Sequence, residues 1–465
     1  MVAAGRSFAL LGAVQTTLIL TITLLGVPLP VIGAEMGLNR SELIVVSAAY
    51  GLSFSGLLLF GGRLADRYGG RAVFVAGLLV FAAASSTAPT SSNFGTLALS
   101  RFGQGVGAAL VAPSAMVLLR ALFPDPDRYA RALATWGGLS VLGATAGLVL
   151  SGIAASIVSW RWMFAVPMVV AGLALLHARR LPPARPTGGR VALDIPGAVL
   201  ATCGVTLLSF GLVMTDGHRW SSPIVTVSVA CGVALLVAFT AVEARGRAPL
   251  LPLAFLTDRR CAAALVIIGL SATATAVVCL FLALYLQQIK GWSPLATSMG
   301  FVPYAVALLM VGRLAGRLVE RLGAAFVALI GMSLAACGLL SLARLDPHTP
   351  YATGLLPGLL ALPTGTALAF AAATVLAVSG VPASQMGLAG GAINTAMELG
   401  PTVGLALVSA LTATRTGSAP DRFAAMSQQY AGAFGATGLA AATVAVLITL
   451  SLATTSTAEP SRRTA

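Results

Sequence analysis

Two ionisable side chains stand inside long apolar runs, Arg101 and Glu398. A charge in hydrocarbon is costly, so such residues are functional candidates by default. Gln104, Gly105 and Ala108 follow Arg101 over the next two turns. Arg101 and Gln104 can face a cavity, while the small residues let helices approach closely. The alternative is an Arg101 that reaches about 11 Å, two helical turns, toward the headgroups. Asn394 and Glu398 are four apart and share a helix face. Pro401 removes a backbone donor and frees the Met397 carbonyl, which favours a kink. Burial raises the proton affinity of a carboxylate and a nearby cation lowers it. Glu398 is therefore a candidate proton carrier or a site for a cationic substrate, with Arg101 as the cation that tunes it. A structural Glu398, or one in a water-filled cavity, is the other reading.

The elements that must hold these groups are membrane helices. The 465 residues are 57% hydrophobic and 9% charged, against about 25% charged in a soluble domain. That excludes a disulfide scaffold, a disordered regulator and a conventional cytosolic enzyme. Fourteen runs reach or approach the roughly 20 apolar residues a spanning helix needs. They fall at 8–32, 43–62, 72–89, 94–119, 132–156, 161–177, 194–215, 223–242, 261–288, 295–312, 326–343, 353–378, 387–413 and 432–454. Alternation with period two, the sign of a membrane barrel, is absent. With the N-terminus inside, the interior segments hold 20 basic residues and the exterior 7, which puts both termini in the cytoplasm. The expected organisation is an N-terminal six-helix bundle (1–177), basic linkers with two additional helices (178–260), a C-terminal six-helix bundle (261–454) and a cytoplasmic tail (455–465).

An internal repeat supports that division. The loop after span two reads Gly62-Arg63-Leu64-Ala65-Asp66-Arg67-Tyr68-Gly69, followed by Arg71. The loop after span ten reads Gly316-Arg317-Leu318-Val319-Glu320-Arg321-Leu322-Gly323. Five of eight positions are identical at an offset of 254 residues, which also pairs Gly37 with Gly291 and Tyr50 with Tyr304. Glycines allow a tight turn, and the acid can sit at a helix N-terminus or pair with an arginine. These loops are expected to act as a cytoplasmic clamp that gates two halves. Repeats of this kind mark secondary transporters with a site near the midplane.

These residues resemble the major facilitator superfamily. The stretch from Gly62 to Arg71 is similar to its first signature, and the stretch from Arg101 to Ala109 to its span-four signature. The stretches Ser159-Trp160-Arg161-Trp162-Met163-Phe164, Tyr285-Leu286-Gln287-Gln288 with Gly291-Trp292-Ser293-Pro294, and Gly387 to Thr395 resemble the 14-spanner drug:proton antiporters of the EmrB/QacA type. The resemblance implies two six-helix bundles plus two extra spans, rocking about a central site while proton influx drives export. Two departures stand out. Thr21 occupies the first-span position where many relatives carry an acid. The span-five signature has Leu148 for proline and Ser151 for glycine, while Gly400-Pro401-Thr402-Val403-Gly404 appears in span thirteen.

The expected function is proton-coupled export of small amphipathic compounds such as antibiotics, by alternating access, in a bacterial cell membrane. Its partners are a small-molecule substrate, protons and the lipid bilayer, with no nucleic acid, and the monomer is the functional unit. The alternatives are transport of a specific metabolite with different coupling, and a non-transporting sensor or scaffold. No enzyme is expected, since no nucleophile motif GxSxG or phosphate-cradling GxxxxGK[ST] occurs. No cofactor and no metal site are expected, because His177, His218 and His348 stand far apart. Gly143, Gly147 and Gly152, with Gly400, Pro401 and Gly404, are read as packing or hinge positions. Gln15, Thr16, Thr17, Thr21 and Thr23 either line a cavity or bond back to their own helix. Trp160 and Trp162 are read as interface anchors, and Asp194 as a cap.

Overall fold

The computed structural model describes residues 2–25, 28–38, 40–182, 195–215, 218–245, 258–379, 381, 386–412 and 422–457. Asp194, parts of both basic linkers and the end of the tail lie outside them. Among the described residues the regular structure is helical throughout, as lipid demands of a chain that must satisfy its own backbone groups. The first half comprises α1 (Val2–Thr23), α2 (Leu29–Met36), α3 (Arg40–Tyr68), α4 (Gly70–Thr87), α5 (Phe94–Leu122), α6 (Pro126–Ile157) and α7 (Ala165–His177). Next come α8 (Ile195–Met214) and α9 (Pro223–Arg245). The second half holds α10 (Arg259–Val277), α11 (Pro294–Gly300), α12 (Val302–Leu322), α13 (Ala324–Leu342), α14 (Leu356–Val378), α15 (Met386–Thr412) and α16 (Arg422–Thr457). Among the described residues, eleven helices are long and apolar enough to cross a membrane, or twelve if the bent α3 counts as one span. The apolar stretch of α8, Val199–Leu212, is shorter.

The two halves repeat one another in three dimensions. In the first, α3 and α4 pack on α5, α1 packs on α6, and α7 packs on α4 and α1. In the second, α12 and α13 pack on α14, α10 packs on α15, and α16 packs on α13 and α10. Glycines create the closest of these contacts. A methyl on Gly143 would press on the Thr16 carbonyl, and one on Gly147 on Leu20 and Thr23, so α6 lies against the backbone of α1. Gly400 and Gly404 bring α15 equally close to Gly269 and Thr273 of α10. Thr273 fixes the second contact by donating to the Gly400 carbonyl at 2.7 Å. These glycines are packing positions, and α15 runs unbroken past Pro401. Gly152 is buried.

Among the described residues, the four glycines with positive φ pair at the repeat offset: Gly37 (65°) with Gly291 (66°), and Gly69 (89°) with Gly323 (83°). Tyr50 and Tyr304 are both fully buried, and each hydroxyl ties span two of its half to span one. Tyr50 donates to the Leu18 carbonyl and Tyr304 to Thr275 Oγ1.

The two matched segments correct the expectation of loops. Residues 62–68 are the last two turns of α3, and residues 316–322 are the end of α12. The whole connection to the next helix is one residue, Gly69 or Gly323, whose backbone an L side chain would strain. The last part of α3, Phe60–Tyr68, is bent 50° from Val45–Leu58. Gly61 there rests on the Ala109 carbonyl of α5, a cause of bending consistent with the adjacent glycine pair.

The first apolar run is also divided. α1 ends at Thr23, and α2 forms beyond Pro28 with Gly37 as its left-handed cap. Glu35 on α2 accepts from Trp160 Nε1 at 2.7 Å and from Arg161, and Arg161 lies over the Trp160 ring. Trp160 is therefore buried beneath a clamp rather than anchored in the headgroups, whereas Trp162 is exposed.

The clamp has a pH signature. The hydrogen bond from Trp160, then that from Arg161, holds the Glu35 carboxyl below its ordinary range. Its contribution to stability is thus complete above the ordinary glutamate value of about 4.3 and fades as pH falls through the lowered value. Thermal midpoints of the purified protein should fall more steeply with acid in the wild type than in Glu35→Gln. Parallel curves would contradict the clamp.

Candidate functional site

Arg101 enters α5 two turns after the Asn93 cap, which accepts from Thr96 N. Its side chain is fully buried. Nη1 donates to the Thr21 carbonyl of α1 at 3.1 Å and to Gln104 Oε1 at 3.1 Å. The guanidinium carbon lies 4.9 Å from the Tyr50 ring centre of α3. Gln104 passes the network on to Ser85 of α4 through Nε2 at 2.9 Å. Arg101 Nε has no partner. One guanidinium thus links four helices of the first bundle.

No carboxylate lies within ion-pair distance of Arg101 among the described residues; the pair described is Arg161 with Glu35. A buried ion without a counter-charge carries a desolvation cost of several kcal/mol. Charge-assisted hydrogen bonds, at about 1.5–3 kcal/mol each, and a desolvated cation–π contact of about 2 kcal/mol offset it. The second bundle shows what this position looks like without a charge. Gly107 presses on Phe81 as Gly365 presses on Ala335. Six residues before each stand Arg101 and Leu359, both fully buried. The second bundle thus fills its matching position without a cation.

The other expected groups are distributed. Asn394 and Glu398 lie one turn apart on α15, and their side chains are outside the described set. Thr17 and Thr21 donate back to carbonyls one turn earlier, and Thr16 to Leu139 of α6. Gln15 Nε2 crosses to Ser140 of α6 at 3.0 Å. Among the paired helix ends, Arg63 and Asp66 are half-buried, while Arg67, Arg317, Glu320 and Arg321 are exposed. Arg71 reaches the Leu181 carbonyl beyond α7.

The halves meet reciprocally. α6 packs on α11, α12 and α14, while α15 packs on α3, α5 and α8. At the arginine-rich face one continuous apolar cluster joins both bundles, with Leu119, Leu133 and Trp136 from the first and Phe370, Val378 and Ile393 from the second. At the opposite face each bundle keeps its own cluster. Tyr129 and Trp136 of α6 are buried in the seal, and neither Tyr129 Oη nor Trp136 Nε1 has a partner. Buried orphan donors are rare and call for an explanation. Sequence reasoning missed both residues, although their seven-residue spacing places them on one helix face.

A sequence profile of the Major Facilitator Superfamily matches residues 10–405. The chain is 34% identical over 407 residues to the puromycin resistance protein pur8 of Streptomyces alboniger, covering 87% of this chain and 81% of the relative. It is 34% identical over 426 residues to the cephamycin export protein CmcT of Amycolatopsis lactamdurans, covering 90% and 87%. Among solved structures, the human organic anion transporter MFSD10 aligns with a TM-score of 0.62 at 16% identity, covering 95% of this chain and 99% of the other.

If Arg101 is retained for a task other than stability, an apolar replacement of similar length should be tolerated. Arg101→Met is expected to unfold within about 1–2 kcal/mol of the wild type in detergent, since replacing buried ions by apolar groups is often neutral. A loss of more than about 3 kcal/mol, the cost of breaking a needed buried pair, would assign Arg101 to the scaffold.

Proposed function

The chain belongs to the Major Facilitator Superfamily of membrane transporters, and on that premise we propose that it is a proton-coupled exporter of small amphipathic compounds, antibiotics among them. The observation that carries the proposal is the pair of duplicated bundles, each closed on itself and meeting the other along reciprocal helix pairs. Such an assembly can rock as two bodies about a site between them. Relatives named for puromycin resistance and cephamycin export support the direction and the kind of cargo.

In this reading α6 and α8 also cross the membrane, which makes fourteen spans. Their lengths, 32 and 20 residues, are sufficient. The arginine-rich face is cytoplasmic, so the apolar seal closes the cytoplasmic end. Asp66 and Glu320, at matched ends of α3 and α12, act with their neighbouring arginines as the clamp that holds that end shut. Glu398 carries the proton. When the seal opens, water or substrate reaches the Trp136 and Tyr129 donors, and the charge of Arg101 biases Glu398 toward release.

Thr21 favours a second reading. Arg101 bonds to the Thr21 carbonyl, at the position where the family resemblance leads one to expect an acid, which fits transport of a specific metabolite with different coupling. Proteoliposomes with an imposed pH gradient separate the two. The first reading expects gradient-driven movement of puromycin or a cephamycin, with coupled transport lost in Glu398→Gln and in a folded Arg101→Met. Transport indifferent to the gradient, or full coupling in Glu398→Gln, removes the proton role.

A further inference from the structure

α8 lies along the seam where α3 of the first bundle meets α15 of the second, and it packs on both. α9 packs on α8 and leaves Val227, Val233 and Val237 exposed. Glycine locks these two helices into one piece. A methyl on Gly204 would press on Leu236, one on Gly211 on Val229, and one on Gly232 on the backbone of Leu208.

The hairpin touches the two bundles in different ways. Its contact with α3 is interlocked. A methyl on Gly56 would press on Thr206 Oγ1 and on the Thr202 carbonyl, so α8 is seated close against α3 there. Nearer the arginine-rich face, Ala201 and Phe239 form an apolar cluster that Phe60 joins, and Phe60 begins the bent part of α3. The contact with α15 is Leu212 against Ala410, with Leu208 and Val229 packed beside it. The described glycines of α8 and α15 have their closest neighbours on other helices, α9 and α10. Ser209, fully buried just before Leu212, has a hydroxyl without a partner, so it ties α8 to neither bundle. Ala201 and Leu212 stand about 16 Å apart along α8 at 1.5 Å per residue.

An interlocked helix pair resists sliding, because a shift drives a side chain into the space that a glycine leaves. A leucine resting on an alanine meets less obstruction, and packed helices shear past one another at such contacts. We propose that the α8–α9 hairpin is a fixed part of the first body, and that its end around Leu212 is a bearing over which α15 slides when the bundles rock. The hairpin then keeps the α3–α15 seam covered from lipid in both arrangements. The inference rests on the rocking of two bodies in the proposed function, and not on the cargo or on proton coupling.

Pulsed electron spin resonance on the full chain in nanodiscs tests it, with the five native cysteines removed. Spin labels go to exposed residues of the face opposite the arginines: Ser92 for the first bundle, Ser221 for the hairpin and Arg344 for the second bundle. Distances are followed across a pH series, with and without puromycin. The Ser92–Arg344 and Ser221–Arg344 distances should both shift by about 5 Å, while Ser92–Ser221 holds within about 2 Å, the scale of small helix shifts. A shift in Ser92–Ser221 with Ser221–Arg344 constant means that the hairpin travels with the second bundle, which overturns the proposal. Shifts in all three distances make the hairpin a separate body and overturn it as well. A Ser92–Arg344 distance that never changes removes the rocking, and this inference with it. Absent or uncoupled drug flux alongside the expected distance changes would overturn the proposed cargo or coupling and leave the bearing standing.

Discussion

Helices in a bilayer gain little from hydrophobic association, because lipid tails are as apolar as their side chains. What holds each bundle together here is close backbone approach, and glycine provides it. Gly143 and Gly147 seat α6 on α1, and Gly400 and Gly404 seat α15 on α10 in the same way. The same device appears where Gly77 meets Gly107 and where Gly331 meets Gly365. Because side chains on those faces are small, the helices cannot slide apart without losing many contacts at once. Each bundle is therefore rigid, and motion is left to the surfaces between the bundles.

Those surfaces are built differently from the interiors. The seal at the arginine-rich face relies on larger apolar side chains and leaves Tyr129 Oη and Trp136 Nε1 unpaired. Each unmade hydrogen bond is a cost to this arrangement. Arg101 adds a second tension. Its charge is held by hydrogen bonds and an aromatic ring, while the matching position of the other bundle is filled by Leu359. The two bundles thus differ in charge at this matched position.

Much of this was legible in the amino-acid sequence because lipid imposes simple rules. Long apolar runs had to be helices, and the 254-residue offset had to mean duplication. The weak pairs at that offset proved to be structural ones, since Gly37 and Gly291 share a left-handed backbone and Tyr50 and Tyr304 share a buried role. The arginine of span four stood out because charge in an apolar run is conspicuous. Its partners did not, since Tyr50, Ser85 and Thr21 are ordinary residues brought to Arg101 by tertiary packing. The helical character of residues 62–68 was hidden for a related reason. Charged residues between apolar runs read as a loop, yet a single positive-φ glycine completes the reversal and lets the helix run to its last charged turn. Trp160 was misread because its hydrogen-bond partner, Glu35, lies 125 residues away.

The account rests on two rigid bodies that must part at the arginine-rich face. The most direct measurement removes the five native cysteines, places one cysteine on α6 and one on α14 across the seal, and follows substrate flux in proteoliposomes before and after oxidation. The account predicts that flux stops when the disulfide forms and returns on reduction. Undiminished flux through fully crosslinked protein would contradict it.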